Sequence, residues 1–111
     1  MIEHLLIRCV FSRDIWHHVL QWIGLAELQP RGDEASFNTW WRRASQRARK
    51  DTRKGLNSII ILTSWFLWKY RNRVVFDAHT PRPQILISEI RDEAKCWALA
   101  GAKRLGRILS Q

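Results

Sequence analysis

The stretch from Leu56 to Phe76, LNSIIILTSWFLWKYRNRVVF, decides the fold of this chain. Its first thirteen residues, 56–68, carry no charge, and Lys69 then opens a basic end. A helix that is apolar on every face needs neighbours on several sides to bury it. Thirteen residues also fall short of the roughly 17–25 that a helix needs to cross a bilayer. We therefore predict a central helix at about residues 56–76, buried within a small helical domain and basic where it ends.

The flanking sequence predicts an all-α bundle of four to five helices that covers this central helix. No stretch alternates as a strand would, whereas apolar residues recur at helical spacing. Two such stripes are Ile15, Trp16, Val19, Leu20 and Ile23, and Ile87, Ile90, Ala94, Trp97 and Ala98. We predict one domain over residues 1–111, with the first helices in 1–24, a loop in 25–35, a basic helix in 36–54, the central helix in 55–77 and a C-terminal helix in 84–106.

Capping residues predict both ends of one of these helices and the start of another. Ser12 suits an N-cap, and Asp14 in the first turn would interact favourably with the helix dipole. Gly24 stands where a glycine ends a helix. Before the last helix, Thr80 can cap and Pro81 suits the first helical position.

The overall charge points to a polyanionic partner. Nineteen Lys and Arg against ten Asp and Glu give a net charge of +9 and a pI of about 10.8, which favours nucleic acid or an anionic membrane surface. Cys9 and Cys96 do not resemble a disulfide framework. Glu3 and His4 stand close after Met1, without a basic start and an apolar run, so no signal peptide is visible. We expect a protein of the nucleus or cytoplasm, neither secreted nor membrane-spanning.

The excess charge is concentrated in residues 42–54. Seven basic residues stand there against one acid, Asp51. They are Arg42, Arg43, Arg47, Arg49, Lys50, Arg53 and Lys54. Such a segment could contact phosphates, with Trp40 and Trp41 beside it stacking on unpaired bases. The alternative is a solvated basic face with both tryptophans in the core, and binding to anionic lipid also stays open.

The seven tryptophans predict either a packed core or a partner surface. Trp16, Trp65, Trp68 and Trp97 share helical spacing with Leu and Ile, so we expect them in the core. Accordingly, Trp65→Ala should destabilise the fold by roughly 3–5 kcal/mol. Trp40 and Trp41 remain open, because neighbours on a helix point about 100° apart.

No catalytic constellation is visible. A polymerase needs paired aspartates that hold two metal ions, and the chain has no Asp-Asp pair. It has no glycine-rich phosphate loop, no G-x-S-x-G and no H-E-x-x-H. His17 or His18 could act as a base, but no nucleophile or orienting acid can be assigned. We therefore predict that the chain is not an enzyme.

Three segments carry a resemblance to a known family: HLLIRCVFSRDIW at 4–16, WFLWKYRNRVVF at 65–76 and IRDEAKCWALAGA at 90–102. In this order and spacing they resemble the C-terminal region of plant non-LTR, LINE-type retrotransposon reverse transcriptases. That region includes the small reverse-transcriptase zinc-binding domain. The resemblance implies an accessory, nucleic-acid-binding part of a polymerase polyprotein.

The resemblance also implies half of a zinc knuckle. In the family a Cys-x-x-Cys pair precedes a His-x4-Cys pair, and His4 and Cys9 fall on the second pair. The first pair would precede Met1. Because a structural zinc site needs four ligands, we do not expect these two residues to bind zinc. In the simpler interpretation His4 is a helix-surface residue and Cys9 a small buried hydrophobe.

Taken together, the sequence predicts a non-catalytic, retroelement-derived fragment with non-specific affinity for RNA or DNA and no cofactor. The alternative is a helical protein-interaction or structural module that binds a partner through exposed tryptophans. A retroelement remnant with no selected function is the third interpretation.

Overall fold

The described part of the chain is helical. The computed structural model describes residues 6–7, 9–31, 36–77 and 82–99, with the backbone alone for 73–77 and 99. The helices are α1 (Val10–Trp22), α2 (Phe37–Arg47), α3 (Arg53–Asp77) and α4 (Pro83–Leu99), with a 3-10 turn at Ala26–Leu28. These ranges contain no strand, which confirms the predicted all-α class.

One core joins the four helices. Helix α4 packs against both α1 and α3, and α2 packs against α3. Helix α3 contributes a large share of the buried apolar residues: Leu56, Ile59, Ile60, Leu62, Phe66 and Leu67. Its opposite face, with Ile61, Trp65 and Trp68, stays exposed. The predicted central helix therefore exists, but its neighbours cover one side of it and leave the other open.

Helix α1 begins earlier than predicted. It starts at Val10 after an extended Cys9, and no side chain caps it. Ser12 is buried inside the first turn, so its assignment as N-cap is wrong. The earlier start allows Phe11 to stack on Tyr70 of α3, with ring centroids 5.0 Å apart. The predicted apolar stripe from Ile15 to Ile23 is fully buried, as expected.

Gly24 ends α1 as predicted. Its φ is 79°, a left-handed conformation that only glycine adopts without steric cost. The Gly24 N–H donates to the Gln21 carbonyl (3.1 Å) and the Leu25 N–H to the Leu20 carbonyl (2.8 Å). This pair of bonds is a Schellman motif. The predicted loop at 25–35 follows, but it contains the 3-10 turn, and Leu28 and Pro30 within it are buried.

The basic segment is not the single helix predicted at 36–54. Helix α2 begins at its N-cap Ser36, whose hydroxyl accepts from the Thr39 N–H at 3.1 Å. It stops at Arg47, because Ala48 is extended and buried against the core. Residues 49–52 form a turn, and α3 begins at Arg53, two residues before the predicted start of the central segment.

Helix α4 begins at Pro83, so Pro81 does not open it. Proline suits the first helical position, and here Pro83 rather than Pro81 occupies it. Thr80 and Pro81 lie outside the described residues, as does the predicted continuation of the helix to 106. Of its predicted apolar stripe, Ile90 and Ala94 are buried and Trp97 is half-buried against the core.

Candidate nucleic-acid interface

All of the net charge lies on the segment that forms α2 and nearly all of α3. Residues 36–76 contain ten Lys and Arg and one acid, Asp51, whereas the rest of the chain holds nine of each sign. The net charge of +9 is therefore carried by this segment alone. Such a concentration of positive charge in two of the helices favours a polyanionic partner for this segment.

Asn57 fixes α2 against α3 in the middle of this basic segment. Its Oδ1 accepts from the Trp41 indole N–H at 2.8 Å and from the Ser45 hydroxyl at 3.1 Å. Nearby, the Arg53 Nε donates to the Ser45 carbonyl at 2.7 Å. That carbonyl is one of the last four of α2, which have no partner within the helix. The polar residues between the basic groups thus join the two helices.

The predicted basic residues fall into two classes. Those with exposed side chains are Arg42, Arg47, Arg49, Lys50 and Lys54. Arg43 and Arg53 are half-buried, and Arg53 is committed to the bond with Ser45. Among these exposed groups, the Arg49 Nε pairs with Asp51 Oδ1 at 3.9 Å. Because both of its side chains lie in solvent, this pair does not neutralise the cluster to a useful extent.

The exposed cations do not share one helix face. Arg42 and Arg47 are five residues apart, which places them about 140° apart around α2. Arg47 points toward the 3-10 turn, where its Nη1 lies 3.5 Å from the Glu27 carbonyl. Arg42 is exposed on another side of the same helix. The structure therefore sets Arg42 and Arg47 on different sides of α2.

The proposed stacking role of Trp40 is wrong. Its side chain is completely buried, and its indole N–H donates to the Leu28 carbonyl at 2.8 Å. A base cannot reach this ring in the folded state. Trp41 is partly buried against the core, and its N–H is bonded to Asn57. Neither member of the pair offers a free aromatic face comparable with an exposed indole.

Two tryptophans assigned to the core by sequence are exposed instead. Trp65 is 54% exposed and Trp68 44%, while Trp16 is buried as predicted. The rings of Trp65 and Trp68 stack with centroids 5.4 Å apart and an angle of 21° between their planes. No sequence signal separates these two tryptophans from the buried positions, because the run at 56–68 is apolar on all sides.

The metal ligands implied by the resemblance are only partly described. His4 lies outside the described residues, and Cys9 is a half-buried free thiol directly before α1. His17 bonds to Gln29 and His18 pairs with Asp14, so the two rings serve different contacts. Within the described ranges no group of three or more His, Cys, Asp or Glu could hold a metal ion.

Across the described helices, none is long and apolar enough to cross a membrane. Comparison of the chain with protein-family models, curated proteins and solved structures finds no match.

Proposed function

We propose that this domain binds nucleic acid without sequence specificity, through the exposed basic groups at the junction of α2 and α3. The observation that carries the proposal is the location of the whole net charge of +9 on residues 36–76. Arg42, Arg49, Lys50 and Lys54 are exposed within this segment, which contains a single acid, Asp51. Flexible exposed cations contact phosphates and release counterions, which gives affinity without reading a sequence.

We further propose a retroelement origin and a non-catalytic role for the domain. The domain would derive from the C-terminal region of a plant LINE-type reverse transcriptase, as the segments at 4–16, 65–76 and 90–102 suggest. It would act as a non-catalytic accessory part, without bound zinc, in the nucleus or cytoplasm where RNA and DNA are found. Sequencing the gene upstream of Met1 tests the origin, because the family pattern requires a Cys-x-x-Cys pair there.

Binding is tested by fluorescence anisotropy with a labelled single strand and a labelled duplex over a salt series. We expect log K to fall linearly with log salt, with a slope of about 0.7–0.9 per phosphate contacted. The variant R42Q/K50Q should lower the slope by about 1.4–1.8, since it removes two phosphate contacts. The matched control R82Q/K95Q removes the same charge from exposed positions on α4 and directly before it.

The control should keep the wild-type slope. Equal slopes in both variants would mean that net charge alone attracts the polyanion and that the junction is no site. An absence of binding at low salt would refute nucleic-acid binding altogether. That result would favour the helical interaction module, for which the exposed apolar face of α3 is the specific observation.

A further inference from the structure

The exposed face of α3 carries an aromatic surface. Ile61, Trp65 and Trp68 follow one another at intervals of four and three residues, which places them on one side of the helix. Their side chains are 52%, 54% and 44% exposed. Because the two indoles are nearly parallel and 5.4 Å apart, they form a short stack, and a further flat ring could extend it.

Positive charge borders this surface at both ends. Lys69 places its Nζ 5.9 Å from the centroid of the Trp65 ring, and Arg71 is exposed in the next turn. Toward the N-terminus, Lys54 lies eleven residues before Trp65, about 16 Å along the axis and only about 20° away around it. No acid occurs in residues 52–76. The exposed indoles of this face therefore lie between Lys54 at one end and Lys69 and Arg71 at the other.

We propose that this face of α3 stacks on unpaired bases, so that the domain binds single-stranded nucleic acid in preference to a duplex. The inference rests on the proposed function and specifies its ligand. Single strands combine a line of negative charge with free aromatic faces, and the α3 face offers the complement of both. A duplex presents the same phosphates but keeps its bases stacked and paired, so it can use the cations alone.

Charge complementarity favours this ligand over a second copy of the chain. Two α3 faces brought together would oppose Lys54, Lys69 and Arg71 to the same cations, with no acid in 52–76 to compensate. Repulsion between like charges at close range weakens such a contact, whereas the phosphates of a nucleic acid attract each of these cations. The junction cations at 49–50 precede the N-terminal end of the same helix, so a strand could continue from the aromatic surface onto them.

The test compares a labelled oligothymidine with its duplex in anisotropy titrations. The variant W65A/W68A should weaken single-strand binding by about tenfold or more, because each stacked base contributes substantially to affinity. Duplex binding should change by less than about twofold, since its contacts are phosphates only. W65F/W68F should recover most of the loss. I85A removes an equally exposed apolar side chain from α4 and should change neither affinity.

Each other outcome overturns the inference in a recognisable way. If W65A/W68A loses equal affinity for the single strand and the duplex, or if the wild type binds both equally well, the stacking proposal is refuted. The proposed nucleic-acid binding would still stand. Absence of binding by wild type at low salt would remove both. If sedimentation velocity shows a wild-type dimer that W65A/W68A dissociates, with strand affinity unchanged, the face binds a second copy instead. Circular dichroism melts of all variants exclude loss of fold as the cause.

Discussion

The indole rings of Trp16 and Trp40 pack against each other in the core, with centroids 4.8 Å apart and planes tilted by 59°. Both are completely buried, one on α1 and the other on α2. Each indole N–H donates to a backbone carbonyl outside the α-helices, that of Leu6 for Trp16 and that of Leu28 for Trp40. The pair therefore anchors the residues before α1 and the 3-10 turn to the helices that they flank.

Substituting Trp40 should separate packing from hydrogen bonding. Trp40→Phe keeps most of the ring and leaves the Leu28 carbonyl without its donor, which should cost about 1–3 kcal/mol. Trp40→Ala removes the ring as well and should cost about 3–5 kcal/mol. Urea unfolding followed by far-ultraviolet circular dichroism measures both free energies. A loss below about 1 kcal/mol for Trp40→Ala would be incompatible with its buried position.

Trp65→Ala should be nearly neutral, contrary to the expectation from sequence. More than half of this side chain is exposed, and its main aromatic contact is Trp68 rather than the core. We expect a change in unfolding free energy of less than about 1 kcal/mol. The same urea experiment measures it, with Trp40→Ala as the buried comparison. A loss of several kcal/mol would place Trp65 in the core and remove the basis for the aromatic surface.

The difference between these two tryptophans shows what the sequence could predict. The uncharged run at 56–68 correctly predicts a helix that forms much of the core. Because that run is apolar on all sides, its periodicity contains no information about which face its neighbours cover. Helix α1 is different, since its polar residues mark the outer side, and its apolar stripe from Ile15 to Ile23 was predicted correctly.

Asn57 should prove to be the residue that couples α2 to α3. Asn57→Ala leaves the Trp41 N–H and the Ser45 hydroxyl without their acceptor, and should cost about 1–3 kcal/mol. Trp41→Phe removes one of these donors. In a double-mutant cycle the two changes together should cost less than their sum, with a coupling of about 1 kcal/mol. Strict additivity would show that the bond contributes nothing to stability.

The point where α2 ends is the part of the candidate site that could not be predicted from the sequence. Residues 42–54 were correctly identified as basic, but composition does not show where a basic helix stops. The break after Arg47 follows from tertiary contacts, namely the burial of Ala48 and the bond from Arg53 to the Ser45 carbonyl. Local propensity has little influence where such contacts decide the backbone.

Thr63 should be a position where a substitution stabilises the fold. Its side chain is completely buried on α3, and its hydroxyl finds no hydrogen-bond partner among the described residues. A threonine inside a helix commonly bonds back to the carbonyl four residues earlier. Because the Thr63 hydroxyl is buried without such a bond, it costs desolvation energy. Thr63→Val replaces the hydroxyl with a methyl group of similar size and should raise the unfolding free energy by about 1 kcal/mol.

A matched variant tests the physical reason for that gain at Thr63. Thr63→Ser keeps the hydroxyl and removes the methyl group, so it should lower the unfolding free energy by about 1 kcal/mol. Urea unfolding of the two variants beside wild type should thus give changes of opposite sign. If Thr63→Val is destabilising instead, the hydroxyl must have a partner in solution. The close packing of α3 against its neighbours would then include a polar contact at its centre.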